Sequence, residues 1–357
     1  MKVQSLPLLA NLLVALLSPS LADAVEPPHG TVVTEHLLSA KLRDTRTGLD
    51  PNRTIKVYLP PGYAGSGQAY PVVYFCHSLN WSAEQVFADG NLAKLLERGI
   101  DRKTVPPFIL VAADYSTPTL GSWYENSTTT GQWLDFTVEE LVPFIDRNFR
   151  TIRHRDSRGL AGDFVGGYGA VKLAMLYPDI FSSAYAMHLV GTGTGIEPAH
   201  SRLDWNKIHQ AKSFQELETN GFARPFVAMC QAYLPNPSRP PLYCDFMVEF
   251  EKGKAQVNMT NVNHWQSRFL LDHLLPENCE NLRKLRGLAF DWARYDPNVD
   301  HVYSAQAFTR KLDELGIEHE AEEYRGDPWS QNWTEHGRFS TRVLPFFARY
   351  LVFQAGP

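Results

Sequence analysis

The segment Gly162-Asp163-Phe164-Val165-Gly166 combines a glycine-rich turn with an acidic and an aromatic side chain. It lies between a short apolar stretch and a helical one, the order in which a strand turns sharply into a helix. Such a turn needs small residues two positions before and after its apex, and Gly162 and Gly166 satisfy this around Phe164. A serine at the apex would attack a carbonyl carbon while the N–H group of the next residue, Val165, stabilised the oxyanion. A phenyl ring can neither lose a proton nor attack, so serine hydrolysis is not expected.

Two carboxylates are candidates for acid–base chemistry. Asp163 precedes the apex, and moving the apex to Asp163 would put Val165 where a small residue is required. We therefore expect Asp163 to transfer protons or to accept hydrogen bonds, not to act as a nucleophile. Asp296 follows a predicted strand and precedes Pro297, where a turn cap and a site residue are equally compatible with the sequence. No set of cysteines and histidines with metal-ligand spacing accompanies them, so neither a metal nor a cofactor is predicted.

Other polar side chains follow predicted strands, at the rim where α/β sheets bind ligands. His77 and Ser78, followed by Leu79, come after the first continuous apolar run, and we expect them to line a pocket. His188 ends a later strand. A histidine satisfied within the core is the more common outcome at such a place.

The elements that hold these residues alternate between strands and helices. Residues 70–77 and 107–113 are nearly continuous apolar runs, typical of central strands covered on both faces. Residues 31–42 and 53–59 alternate apolar and polar side chains and predict an antiparallel edge. The alternation of strands and helices along the chain implies a mostly parallel sheet with right-handed crossovers.

A long stretch, residues 190–284, separates the strand predicted at 181–188 from the one at 287–293. It exceeds the length of an ordinary connection, and we interpret it as a helical insertion or lid. The prediction is therefore one α/β domain over residues 25–357, with a mostly parallel central sheet, helices on both faces and a lid.

The first 24 residues predict a cleaved secretory signal. Lys2 precedes an apolar stretch over residues 6–17, which is followed by Ala22-Asp23-Ala24. That stretch is shorter than the roughly 20 residues that span a bilayer, so we expect a secreted or secretory-pathway protein without a membrane span. The formal net charge of −5 is spread without basic blocks, which argues against nucleic acid or an anionic membrane as partner.

Potential glycosylation sites and cysteines are compatible with that compartment. Asn-x-Ser/Thr triplets begin at Asn52, Asn80, Asn126, Asn258 and Asn332. Cys76 lies within an apolar strand pattern and is predicted to be a buried thiol. One disulfide among Cys230, Cys244 and Cys279 fits a secreted chain, but the spacing does not select the pair, and a reduced chain remains an alternative.

Six segments distributed over most of the chain carry a family resemblance. They are RTIKVYLPPGY (53–63), YPVVYFCH (70–77), Trp123-Tyr124, EELVPFIDRNFRT (139–151), GDFVGGYGA (162–170) and YPDIF (177–181). Together they resemble the esterase D-type family of α/β hydrolases, which includes feruloyl esterases, S-formylglutathione hydrolases and mycobacterial mycolyltransferases. The resemblance implies the α/β-hydrolase fold and places Tyr124 on the oxyanion side of the pocket. It says less about activity, because a fold does not fix a function.

Carried over residue by residue, the resemblance places Phe164 at the nucleophile and Asp296 at the acid. The family usually has Gly-x-His after the last strand, whereas this chain has Gly326-Asp327-Pro328. His336 would take the role of the base if its loop folds back onto the cleft. The family's His-Gly in the oxyanion loop is His77-Ser78 here. Two triad positions are thus expected to be lost, and Phe164→Ser alone is expected to give only a trace esterase rate.

The leading hypothesis is a lidded pocket for a hydrophobic or aromatic small molecule in a protein without serine-esterase chemistry. Such a protein is either a ligand-binding pseudoenzyme or a repurposed lyase, cyclase or isomerase that uses Asp163, Asp296 and a histidine such as His336. The alternative is a carboxylic ester hydrolase with a displaced nucleophile such as Ser78, although Ser78 belongs to the oxyanion side. The sequence determines neither the ligand nor the oligomeric state.

Overall fold

A computed structural model describes residues 29–79, 81–88, 91–193, 203–220 and 222–354. The predicted signal segment, residues 1–24, and the potential glycosylation site at Asn80 lie outside the described residues. Within the described part of the chain, no helix has both the length and the apolar character needed to cross a bilayer.

The central sheet has eight strands. In chain order they are β1 (Thr31–Leu38), β2 (Asn52–Leu59), β3 (Val72–Cys76), β4 (Ile109–Ala113), β5 (Arg158–Asp163), β6 (Ser183–Met187), β7 (Gly287–Ala293) and β8 (Glu320–Tyr324). Across the sheet the order is β1-β2-β4-β3-β5-β6-β7-β8. β2 pairs antiparallel with β1 and β4, and the remaining neighbours pair in parallel. The predicted fold class, a mostly parallel sheet with an antiparallel edge, is confirmed.

Helices cover both faces of this sheet. Along β3, Val72 and Tyr74 belong to one buried apolar cluster, whereas Val73 and Phe75 belong to another. Because neighbouring residues of a strand point to opposite faces, each face has its own core. Within the described residues, the α-helices of six or more residues are α1 (Ala83–Ala88), α2 (Leu92–Asp101), α3 (Val142–Asn148), α4 (Val165–Leu176), α5 (Trp205–Gln210), α6 (Ala223–Tyr233), α7 (Met259–Gln266), α8 (Leu275–Arg283), α9 (Val299–Glu314) and α10 (Leu344–Tyr350).

Three of the helices, α3, α8 and α10, follow a π-helical turn and have a proline in their first turn. A proline cannot donate the i→i−4 hydrogen bond and crowds the carbonyl one turn earlier, so the turn before it widens. The chain leading into α3 is consequently divided into Trp133–Asp135, the π-helical turn Phe136–Leu141, and α3 itself.

The described part of the stretch between β6 and β7 contains α5 to α8 and the hairpin formed by Val248–Glu251 and Lys254–Val257. α8 packs against α4, the helix that follows the glycine-rich turn. The inserted stretch is therefore attached to the same helix that begins at the candidate site.

The cysteines and asparagines singled out in the sequence have mixed environments. Cys76, Cys230 and Cys244 are buried and Cys279 is partly exposed, and none of these four described residues is bonded to another. Asn126 and Asn258 use their Oδ1 atoms to accept backbone N–H groups of Leu134 and Asn261 at 2.9 and 3.1 Å. Asn52 is exposed at the start of β2, whereas Asn332 is fully buried.

Candidate functional site

Phe164 forms the turn between β5 and α4. Its φ of 55° and ψ of −116° lie outside the regions that non-glycine residues ordinarily occupy. Its N–H donates to the Met187 carbonyl at 3.0 Å, and its own carbonyl accepts the first helical bond from Tyr168 at 3.2 Å. Bonds to β6 and to α4 thus hold the strained apex in place.

The glycines around the apex permit this close crossing of the chain. A Cβ atom at Gly162 would lie well inside the contact distance of the Gly166 carbonyl, and one at Gly166 would overlap the Cys76 carbonyl. Both obstacles are backbone atoms that cannot rotate away. The small residues expected on both sides of Phe164 are therefore sterically required.

A cavity of about 650 Å³ opens above the apex. The insertion contributes one wall, with Val190, Gly191, Gly193, Phe222, Pro225, Phe226, Met229 and Phe269. Four tryptophans and four phenylalanines are among the described residues that line it: Trp81, Trp123, Trp329, Trp333, Phe164, Phe222, Phe226 and Phe269. A concave site with an aromatic lining and a few polar groups is typical of small-molecule binding.

The ring of Phe164 occupies the centre of an aromatic cluster at the floor of this cavity. It lies parallel to the His188 imidazole, with ring centroids 5.8 Å apart and an interplanar angle of 6°. The His301 ring meets it edge-on at 5.6 Å, and Trp329 lies 4.9 Å away. The side chain at the apex is thus in contact with two imidazoles.

Both imidazoles share the buried carboxylate of Asp296. His188 Nε2 lies 2.8 Å and His301 Nδ1 lies 2.7 Å from Asp296 Oδ2, while the Asn298 N–H donates to Oδ1 at 2.8 Å. Burial alone would raise the pKa of Asp296, but the hydrogen bonds from His188, His301 and Asn298 outweigh it and hold the pKa below its ordinary value. Asp296 is therefore an ionised acceptor at neutral pH.

His188 is a core residue whose proton position can be assigned. The Ala293 N–H donates to His188 Nδ1 at 3.0 Å, so Nδ1 carries the lone pair and Nε2–H donates to Asp296. Its backbone N–H donates to Asp291 at 2.8 Å, and the residue is fully buried with a φ of 44°. The interpretation of His188 as a satisfied core histidine agrees with these contacts.

His188, Asp296 and His301 also place three potential ligand atoms within 4.8 Å of one another. A cation on His188 Nε2 would displace its proton to Nδ1, where it would face the N–H group of Ala293. Metal-bound histidines instead direct their second nitrogen, as a donor, to an acceptor. The donor set therefore does not suit a metal ion.

His301 has the opposite orientation and lines the cavity. An ionised carboxylate can only accept, so His301 Nδ1–H donates to Asp296, and in the neutral ring Nε2 carries the lone pair. The residue stands in the first turn of α9, and its N–H donates to the Asn298 carbonyl at 2.9 Å. The loop and the helix start together fix a basic nitrogen near Phe164.

Asp163 is a second titratable group in the cavity wall, and it is buried. The Asn332 amide donates to Asp163 Oδ1 at 3.0 Å and to the Pro328 carbonyl at 3.3 Å. Burial raises the pKa of Asp163 to about 8, and the nearby charge of Asp291 adds to the rise. Asp163 is therefore mainly an uncharged carboxylic acid at neutral pH.

Six of the nine predicted site residues lie in the cavity wall or directly behind it. Asp163, Ser78, Leu79, Phe164 and Val165 line the cavity, and Asp296 lies behind His301.

Two predicted pocket residues lie beneath the floor instead. His77 is turned inward, because its Nδ1 bonds the Ser78 carbonyl and its Nε2 accepts the Tyr115 N–H, both at 2.8 Å. The Tyr124 hydroxyl donates to the His77 carbonyl at 2.7 Å, which draws that ring into the core as well. His77 and Tyr124, predicted for the pocket or its oxyanion side, are therefore not among the described residues that line the cavity.

The expected approach of His336 to the cleft is not observed. His336 is exposed and is not among the cavity-lining residues. Its loop turns Trp329, Asn332 and Trp333 toward the cavity, and the Arg338 N–H closes the turn on the Gln331 carbonyl at 2.7 Å. The histidine that contacts Asp296 from the cavity is His301, which the sequence analysis missed although it lies only five residues after Asp296.

Residues 47–216 match a family model described as "Putative esterase". This part, slightly less than half of the chain, is similar to the esterase family. An esterase of Mycobacterium tuberculosis is 33% identical over 137 residues, which cover 37% of this chain and 28% of that protein. An endo-1,4-beta-xylanase/feruloyl esterase of Xylanibacter ruminicola is 28% identical over 138 residues, 36% of this chain and 18% of its own length. The match thus spans less than a third of either relative.

Solved structures of esterase-family proteins share the fold over nearly the whole chain. A ferulic acid esterase superposes with a TM-score of 0.61 at 17% identity, covering 91% of this chain and 100% of the other. An S-formylglutathione hydrolase from Agrobacterium tumefaciens gives a TM-score of 0.55 at 16% identity, covering 90% and 96%. At such identities the likeness establishes the α/β-hydrolase fold.

Proposed function

We propose that this esterase-like protein binds a neutral aromatic or hydrophobic small molecule in the cavity above Phe164 and does not hydrolyse esters through an acyl-enzyme. The observation that carries the proposal is the phenyl side chain at a strained strand-to-helix apex where the esterase mechanism needs a nucleophile. The predicted signal segment supports a secreted or secretory-pathway location as part of the same proposal.

The charges around the cavity favour an uncharged ligand. Among the described residues that line it, Asp163 and Asp300 are acidic, His301 is the single imidazole, and there is no lysine or arginine. A carboxylate ligand would meet Asp300 without a cationic partner in the lining, and burying an unpaired charge is costly. Esters, ketones and phenols of aromatic compounds fit the tryptophan-rich wall better.

The competing function is carboxylic ester hydrolysis by a displaced nucleophile. Similarity to the esterase family and the place of Ser78 in the cavity wall favour it. Hydrolysis through Ser78 would require its hydroxyl to act as nucleophile in place of the apex side chain, although Ser78 follows β3 and the apex follows β5.

Ethyl ferulate and ferulate together provide the test, because one is neutral and the other anionic. With four tryptophans in the lining, we expect ethyl ferulate to quench the intrinsic fluorescence saturably and ferulate to bind at least tenfold more weakly. We expect Trp329→Leu to weaken the quenching, and Tyr303→Leu, which removes an aromatic ring exposed by 68%, to leave it unchanged.

Hydrolysis is measured in the same samples. We expect no release of ferulate above the buffer rate and no labelling by a fluorophosphonate probe. Rapid turnover with labelling that disappears in Ser78→Ala would establish the competing function, and absence of any binding would contradict the proposed one.

A further inference from the structure

We infer that His301 is a general base that removes a proton from a carbon atom adjacent to a carbonyl group of the bound ligand. The inference rests on the proposed function, because it needs a neutral ligand in the cavity. It goes beyond binding by assigning a reaction class, proton transfer at carbon, and a residue that performs it.

The geometry around His301 meets the requirements of such a base. Asp296, held by the Asn298 N–H, fixes the imidazole through Nδ1 and stabilises the imidazolium that proton uptake creates. The side chain of His301 is only 14% exposed, and the cavity is the space that it lines. A ligand in the cavity would thus approach His301 on its Nε2 side, where the Asp300 carboxylate lies 4.0 Å from that nitrogen.

The turn at Phe164 supplies the complementary part of the site. Removal of the proton leaves an enolate, whose oxygen needs hydrogen-bond donors. Val165 lines the cavity as the first residue of α4, a helix of 12 residues, and the first N–H groups of a helix have no intrahelical acceptor. The buried carboxyl of Asp163 stands beside the same turn as a second donor. Donors that face an ester carbonyl in a hydrolase can stabilise an enolate equally well.

The reaction balances without an added oxidant or reductant. The electron pair of the C–H bond becomes the C=C bond of the enolate, the carbonyl π pair moves to oxygen, and the proton goes to His301 Nε2. The imidazolium then returns the proton to the same carbon or to a conjugated one, which regenerates the base. The net result is isomerisation or isotope exchange of an aromatic ketone.

Phe164 gives this base a different environment from that of a serine hydrolase. Its ring contacts His301 edge-on at 5.6 Å and occupies the position from which a hydroxyl would take up an acyl group. A carbonyl ligand in this site therefore cannot transfer an acyl group to the apex side chain. Proton transfer is the chemistry that the remaining groups support.

The test uses 2-tetralone, a neutral aromatic ketone with activated C–H bonds next to its carbonyl. Loss of the C1 proton signal in D₂O is followed by NMR with the full chain. We expect exchange above the rate in buffer alone, and a fall of about 10²-fold or more in His301→Asn, which keeps a donor for Asp296 but has no basic nitrogen. The control His273→Asn changes an exposed histidine outside the cavity lining and should exchange like the wild type.

Binding of 2-tetralone, measured by tryptophan quenching, tests ligand binding by the cavity separately from the role of His301. Binding without accelerated exchange, or exchange that survives in a folded His301→Asn protein, overturns the role of His301 and leaves the proposed function standing. No binding of 2-tetralone or of ethyl ferulate overturns the proposed function and the inference with it. Thermal unfolding monitored by circular dichroism verifies that each variant is folded.

Discussion

The Nδ1 atom of His301 lies 2.7 Å from the same Asp296 oxygen that accepts a hydrogen bond from His188. One buried carboxylate therefore orients two imidazoles, and both contact the Phe164 ring. The histidine on the cavity side comes from the helix after β7, whereas the resemblance to the esterase D-type family places the base after the last strand. An Asp–His pair thus exists here although Pro328 stands at the expected position.

The first prediction revises the expectation for Phe164→Ser. The sequence alone predicts a trace rate because no base is in place, but His301 lies beside the substituted ring. We expect the variant to hydrolyse p-nitrophenyl acetate at least about 10²-fold faster than the wild type, within the contribution of a general base. Initial rates at matched protein concentrations measure this.

The control for this substitution is the double variant Phe164→Ser with His301→Asn. It should return to within a few-fold of the wild-type rate, and fluorophosphonate labelling of the new serine should fall with it. A rate in Phe164→Ser that is unaffected by His301→Asn would mean that another group activates the serine.

The second prediction concerns the backbone crossing at the apex. Gly166→Ala places a methyl group against the Cys76 carbonyl, and overpacking of this kind costs about 1–3 kcal/mol or more in the free energy of unfolding. Gly65→Ala is the matched control, because its added methyl group meets open space. Urea denaturation of both variants makes the comparison, and equal midpoints would contradict the steric argument.

The third prediction follows from the raised pKa of Asp163. Its pKa is about 8 in the folded protein against an ordinary value of 3.8, so between these pH values the folded state retains a proton that the unfolded chain has released. The free energy of unfolding should therefore decrease as the pH rises from about 4 to about 8.

Asp163→Asn removes this dependence while keeping an acceptor for the Asn332 amide. We expect the variant to be more stable than the wild type at pH 8 and nearly equal to it at pH 4, with each unit of pKa separation corresponding to about 1.4 kcal/mol. Asp179→Asn, at an exposed position, should leave the pH profile unchanged. Parallel profiles for wild type and Asp163→Asn would show that Asp163 is ionised in the folded state.

The fourth prediction concerns the buried ion pair between Lys172 and Glu125. The Lys172 ammonium also donates to the Tyr168 hydroxyl at 3.2 Å, inside α4. Lys172→Met leaves the buried Glu125 carboxylate without its ion-pair partner, and loss of one partner of a buried pair costs about 3–5 kcal/mol in the free energy of unfolding. Lys207→Met is the control, because that side chain is 69% exposed and should change stability by less than about 0.5 kcal/mol.

The fold could be predicted well because the central strands are continuous apolar runs in the sequence, and in the structure β3 and β4 are buried along their entire lengths. It also predicted the apex, since Gly162 and Gly166 are the small residues that the close backbone crossing on either side of Phe164 requires. Both features depend on residues that are close together in the sequence, so the residue types alone are enough to predict them.

The residues around the apex were harder to predict, because long-range contacts place them. His77 follows a strand end as expected, yet the Tyr115 N–H from the next strand's loop turns its ring inward. His301 required knowledge that the turn after Asp296 returns the first turn of α9 to the cavity. Trp329 and Trp333 reach the lining through a loop whose path no periodicity specifies.

The enclosed amide of Asn332 has a consequence for how the chain could mature. The triplet Asn332-Trp333-Thr334 is a potential attachment point for an oligosaccharide, but in the folded protein the Asn332 amide nitrogen donates hydrogen bonds to Asp163 and to the Pro328 carbonyl. A sugar on that nitrogen would remove one of its two hydrogen atoms, so the two bonds could not both form. In a secretory compartment, sugar transfer and these two hydrogen bonds would therefore compete for the Asn332 amide nitrogen. Only molecules that form the hydrogen bonds first would have the cavity wall described here.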